Sequence, residues 1–150
     1  MRINRIKKEI FSIILMILLL PFQACNSDQD YIPYVPVKFT IELSVYNQLM
    51  NSGYSMLFED EGYGGVIVFC EYYDVATPTA SLYYAYDATC TFEVSEDCTL
   101  ENEGNSVNAV CSCCGSEYSL FGGYPFKGDA SRGLKSYNVS VLGNRLYISN

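Results

Sequence analysis

Residues 111–123 read CSCCGSEYSLFGG. Three cysteines fall within four positions, ahead of a small polar turn and a pair of glycines. Such spacing gathers thiols at one point of the chain, as in half of a metal site. Yet none of the 150 residues is a histidine. The partners of these thiols are therefore other thiols, shared through a metal, through a cluster, or through a direct bond. The same absence removes Ser–His and Cys–His dyads, so hydrolytic catalysis has no base to rest on.

Outward from this stretch, residues 87–123 hold five cysteines, at 90, 98, 111, 113 and 114, and a strand-like pattern only at 107–110. They read as two cysteine-bearing loops flanking a short hairpin, inserted into a sheet framework. The framework shows in period-two alternation. Val37, Phe39, Ile41 and Leu43 point one way and Lys38, Thr40 and Glu42 the other, which is a half-buried strand. GVIVFCEYY and ASLYYAY are further β-rich runs between Gly- and Pro-bearing turns. SYNVSVLGNRLYIS is a hairpin about Gly143-Asn144, with Tyr137, Val139 and Val141 on one arm and Leu146 and Ile148 on the other. No stretch beyond the N-terminal segment has helical periodicity. The fold class is all-β.

The N-terminal segment is of another kind. MRINRIKKEI carries Arg2, Arg5, Lys7 and Lys8, and FSIILMILLLPF follows. A basic region before a short apolar run is a secretory signal, too short to span a bilayer as a helix. It ends at Phe22-Gln23-Ala24-Cys25, which resembles the lipobox of bacterial lipoproteins. The division expected is a signal peptide over 1–24, a lipid-anchored tether over 25–35 and a β domain over 36–150. Cleavage removes four of the nine basic residues and one of the seventeen acids, leaving a net charge near −11. That surface argues against nucleic acid and against direct docking on anionic lipid. The anchor on Cys25 is then the expected membrane contact, and the cell envelope the expected location.

With Cys25 lipidated, six cysteines remain, an even number that in an exported domain defaults to disulfides. Six allow fifteen pairings, so counting leaves connectivity open. Other features carry less. Glu59-Asp60-Glu61 lies in a Gly-rich turn and reads as a solvated loop. Asn138-Val139-Ser140 matches a glycosylation sequon but sits inside the terminal strand. The 14 tyrosines and 8 phenylalanines suit strands as well as a sugar-binding surface.

The order of features over 87–150 resembles the Rieske iron–sulfur family. That family holds a [2Fe–2S] cluster between two loops, one with C-x-H and one with C-x-x-H. Here the second loop is Cys111-Ser112-Cys113-Cys114-Gly115-Ser116-Glu117-Tyr118, followed by Gly122-Gly123, Gly128-Asp129-Ala130, Leu134, Tyr137 and the terminal hairpin. The first loop is Cys90-Thr91-Phe92, with Cys98 beyond it. The resemblance implies a Rieske-like pair of antiparallel sheets, an electron-transfer role and a redox partner protein. It implies Cys90 and Cys111 as thiolate ligands, and Cys98 with Cys113 as a disulfide joining the loops. It implies that the hydroxyls of Ser116 and Tyr118 donate hydrogen bonds to cluster or ligand sulfur. The two histidine positions fall on Phe92 and Cys114, and the Pro of the covering loop is replaced by Asp129. The standard two-Cys, two-His centre is therefore lost.

Three uses of the six thiols stay open. One is a retired cluster site closed by disulfides, for example Cys90 with Cys111 and Cys70 with Cys114, giving a non-catalytic binding or structural lipoprotein. A second is an all-cysteine centre of Cys90, Cys111 and Cys114, with Cys98 or Cys70 as fourth ligand, holding a [2Fe–2S] cluster or zinc. A third is thiol–disulfide exchange at CSCC, for which only Glu117 and the more distant Lys127 supply nearby charge.

Overall fold

The computed structural model describes residues 32–102 and 106–150. The signal segment and Cys25 lie outside the described residues. Among the described residues ten strands carry the fold, with two single-turn 3-10 helices at Asn47–Met50 and Pro78–Ala80. Strands β1 (Lys38–Glu42), β2 (Ser55–Phe58), β3 (Val66–Tyr72), β4 (Leu82–Asp87), β9 (Ser136–Leu142) and β10 (Arg145–Ser149) form one antiparallel sheet, in the order β1-β10-β9-β4-β3-β2. The insertion between β4 and β9 forms a second sheet from β5 (Leu100–Glu101), β6 (Asn108–Cys111), β7 (Glu117–Ser119) and β8 (Pro125–Lys127).

The large sheet curls over itself. Phe39 on one edge strand and Phe58 on the other meet with ring centroids 5.4 Å apart. The space enclosed is the main core, filled by Ile41, Val66, Val68, Cys70, Ala85, Leu146, Ile148 and neighbours. The alternation expected at 37–43 is borne out, with Val37, Ile41 and Leu43 buried and Lys38 and Thr40 exposed. So is the hairpin, where Leu146 pairs with Val141 and Ile148 with Val139 across Gly143-Asn144. Gly143 has φ +59°, the left-handed conformation such a tight turn requires.

β3 explains why GVIVFC lacks alternation: both its faces are covered. Val66, Val68 and Cys70 enter the main core, while Ile67 and Phe69 face a second core shared with Tyr86, Leu100, Ala109, Cys111, Tyr118 and Leu120. The small cysteine-bearing sheet packs on this outer face. Successive side chains on a strand point to opposite faces. Cys70 is thereby turned away from the other cysteines.

The end of the chain holds the start of the domain. The Asn150 side chain donates to the Val35 carbonyl at 2.7 Å and accepts from the Val37 N–H at 3.2 Å. Ile32 is buried. The last few residues assigned to the tether are therefore docked on the body. The sequon position Asn138 lies in β9, as expected.

One buried acid ties the end of β4 to its surroundings. Asp87, at the end of β4, is fully buried and accepts from the N–H groups of Tyr63, Gly64 and Thr89, from the Thr89 hydroxyl, and from the Tyr137 hydroxyl at 2.6 Å. These donors replace the water the carboxylate loses. Burial, then the Asp87 charge, pushes the Tyr137 phenol far above its ordinary range, so it remains a donor. Tyr137→Phe is expected to cost about 1.5–3 kcal/mol in urea unfolding, the range for a hydrogen bond to a charged group.

Cys70 provides a pH signature of the main core. Burial pushes its thiol from 9.0 up to about 11, against a smaller lowering by the Tyr83 hydrogen bond. The unfolded chain releases that proton first, so this stabilisation is complete below pH 9 and declines as pH rises toward 11. Unfolding free energy measured across that window should fall less steeply in Cys70→Ala than in the parent chain.

Candidate metal centre

β4 runs directly into the first cysteine loop. The loop closes on itself through Cys90 N–H to the Cys98 carbonyl (3.0 Å) and Leu100 N–H to the Ala88 carbonyl (2.7 Å), with a bridge between Thr89 and Thr99. The second loop is the tight turn between β6 and β7. There Cys111 N–H donates to the Ser116 carbonyl and Gly115 N–H to the Cys111 carbonyl. A disulfide between Cys98 and Cys113 joins the loops, with Cα atoms 5.5 Å apart, and the Ser112 hydroxyl donates to the Thr99 carbonyl at 3.1 Å. This is the bridge the sequence resemblance implies.

Inside that bridge three thiols converge. The sulfurs of Cys90, Cys111 and Cys114 lie within 4.8 Å of one another, and Cys90 and Cys114 are 3.6 Å apart. Cys90 and Cys111 are buried, and Cys114 is partly exposed. The alternative pairings Cys90–Cys111 and Cys70–Cys114 are not formed, since all four are free. Neither expected fourth ligand is available. Cys98 is spent in the disulfide, and Cys70 sits in the other core. Glu93 also approaches Cys98 and Cys113, but both sulfurs there are already bonded.

The surroundings treat the thiols unequally. Burial works against ionisation of Cys90, yet the N–H groups of Glu93 and Phe92 and hydrogen bonds from Cys111 and Tyr118 outweigh it and hold the thiol below its ordinary value. Burial pushes Cys111 up, with the neighbouring Cys90 and Cys114 adding to it against the N–H groups of Cys114 and Cys113. One site therefore holds a readily formed thiolate beside a reluctant one.

Two hydroxyls named by the resemblance are in place. Ser116 is fully buried, and its oxygen accepts from the N–H groups of Asp129 and Ala130, each at 3.1 Å. The Cys114 thiol donates to the same oxygen at 3.1 Å, the reverse of the direction the resemblance implies. Gly128 makes this approach possible: its φ is +89°, and a Cβ there would lie 2.6 Å from the Ser116 Oγ. The Tyr118 hydroxyl is 3.7 Å from the Cys90 sulfur and 2.8 Å from the Thr91 hydroxyl, which in turn donates to the Arg132 carbonyl at 2.8 Å.

Sequence reasoning missed Thr91 and Asp87. The signal for Thr91 was its place beside Cys90, but its partner, the Arg132 carbonyl of the covering loop, is 41 residues away in the chain. Phe92 occupies the other histidine position, exposed and without a ligand atom. Lys127 is paired with Glu117 on the sheet, away from thiol chemistry.

An antiparallel body with a small inserted sheet, whose two cysteine loops are disulfide-joined, is the architecture the resemblance implies. The fold is Rieske-like. Solved structures similar to this Rieske-like chain include the plasma membrane Rieske protein PetC3 from the cyanobacterium Synechocystis (23% identity, 78% of this chain and 100% of that one, TM-score 0.49). Others are the ferredoxin of carbazole 1,9a-dioxygenase from Nocardioides aromaticivorans (17% identity, 77% and 97%, TM-score 0.46) and a chain of a carbazole 1,9a-dioxygenase oxygenase–ferredoxin complex (17% identity, 75% and 93%, TM-score 0.48). No protein-family model matches the chain, and no curated protein does.

A [2Fe–2S] cluster requires four protein ligands, two at each iron. Among the described residues the site offers three sulfurs, and the position that would supply the fourth is Phe92. The residues present do not fit that cluster.

The disulfide closes a segment with a sequence separation of 15 residues, for which the chain-entropy cost of opening is about 3 kcal/mol. Replacing Cys98 and Cys113 together by alanine is expected to lower stability by about that amount. Hydrogen exchange should quicken first at the amides of Cys90 and Ser112, which lie in the joined loops.

Proposed function

We propose that this chain is an exported lipoprotein of the cell envelope in which a Rieske-like frame presents a thiolate-only metal centre, in the electron-transfer role the sequence resemblance implies. The observation that carries this is the convergence of Cys90, Cys111 and Cys114 within 4.8 Å at the junction of the two cysteine loops. The Cys114 thiol, which donates to the buried Ser116 oxygen at 3.1 Å and is thereby held beside the other two sulfurs, supports the same reading. Export and anchoring are supported by the basic and apolar N-terminal segment ending at Cys25. Anionic sulfur ligands favour the oxidised form of a metal centre, so such a site would work at lower potential than one with imidazole ligands. Its partner would be a redox protein meeting the exposed rim of the loops.

A second reading has its own support. The Cys98–Cys113 disulfide holds the loops together by itself, as a stapled binding or structural module requires.

Thiol counting together with metal analysis of the same sample separates the two, since four free thiols without metal also fit the stapled module. The protein is taken anaerobically from its native envelope, denatured in alkylating reagent and weighed intact, with and without prior reduction. With Cys25 lipidated, a thiolate centre leaves Cys70, Cys90, Cys111 and Cys114 alkylated before reduction, and Cys98 and Cys113 only after it. A bond between any two of Cys90, Cys111 and Cys114 would sink the metal reading and leave the stapled module.

A further inference from the structure

We infer that the centre takes one thiophilic metal ion, held by Cys90, Cys111 and Cys114 with its fourth position open, and not a two-iron cluster. This rests on the thiolate-centre reading above and specifies its nuclearity.

Geometry decides between the two. In a two-iron cluster the protein ligands sit in pairs at opposite ends of the Fe–Fe axis. Any three of them therefore include one a whole cluster length from the others. Here all three sulfurs lie within 4.8 Å, with one pair at 3.6 Å. A single ion with metal–sulfur bonds of about 2.3 Å in tetrahedral geometry holds its ligands about 3.8 Å apart. The observed triangle has the size of one ion.

The number of thiols points the same way. Three is odd, so a disulfide inside the triangle leaves one sulfur over, whereas one ion satisfies all three. Binding a divalent ion releases the thiol protons to solvent, and the ion's two positive charges offset most of the three negative charges gathered there. Among the described residues no further histidine, cysteine or carboxylate joins the triangle. The fourth position is thus left for a ligand from outside the chain, as in metal sites that bind small molecules.

Cobalt(II) is the probe, because its thiolate charge-transfer band counts bound sulfurs and its visible bands report coordination. The full chain, purified anaerobically in detergent, is titrated with Co(II) alone. The expected result is one Co(II) per chain, and visible bands that shift when imidazole is added. Each of Cys90→Ser, Cys111→Ser and Cys114→Ser should lose about a third of the charge-transfer intensity, while Cys70→Ala leaves it unchanged. Should a serine variant fail to fold, the stoichiometry and imidazole response of the parent chain still decide. Reconstitution with iron and sulfide that loads two of each per chain would overturn the single-ion inference but keep the thiolate centre. A band unchanged in any one of the three variants, or indifference to imidazole, also overturns the assignment of ligands. No Co(II) binding together with a Cys90–Cys114 disulfide would overturn both.

Discussion

The cysteine site depends on a carboxylate that never touches it. Asp87 is buried where β4 leaves the large sheet, and its acceptors are filled from three directions: the 63–64 turn, Thr89, and Tyr137 on β9. Three residues later comes Cys90. The loop bearing the first thiol therefore starts from a point fixed against both neighbouring strands. A buried charge so fully paired is costly to disturb, because removing any donor leaves part of the charge uncompensated. Precision at the sulfurs is inherited from this anchor.

From there the site is assembled by short-range devices. The first loop closes on itself through backbone bonds, the second is a tight turn, and the Cys98–Cys113 bond sets their spacing. A third segment, residues 128–134, reaches over through Ser116 and Thr91. Asp129 donates its backbone N–H to Ser116, a bond that the Pro of the family pattern could not make.

Much of this was legible in the sequence, for identifiable reasons. Strands with one face in water announce themselves by alternation, which is why 37–43 and the terminal hairpin were plain. The disulfide and the thiolate positions came from a motif order spread over 87–150, with both histidine positions changed. β2 was missed, because the four residues SMLF are too few to show a period. β7 and β8, of three residues each, were missed for the same reason, whereas β5 and β6 form the short hairpin expected between the two cysteine loops. Cys70, whose role the sequence left open, is the most instructive case. It shares a face with Val66 and Val68, and side-chain parity would have excluded it once β3 was known to be covered on both sides. A continuous apolar run conceals which face meets which core.

The adjacency of Cys113 and Cys114 has a consequence for how the protein is made. One of the two sulfurs is oxidised and the other free, although they are neighbours in sequence. Because they occupy a turn, exchanging their roles moves the crosslink by a single residue and turns the wrong sulfur outward. Chain entropy hardly distinguishes the two bridges, since the closed segments differ by one residue. What selects the right one is the folded turn itself, with Ser116 holding Cys114 inward. Oxidation therefore has to follow folding at this point, and a chain oxidised too early needs its bond reshuffled before the thiols can gather.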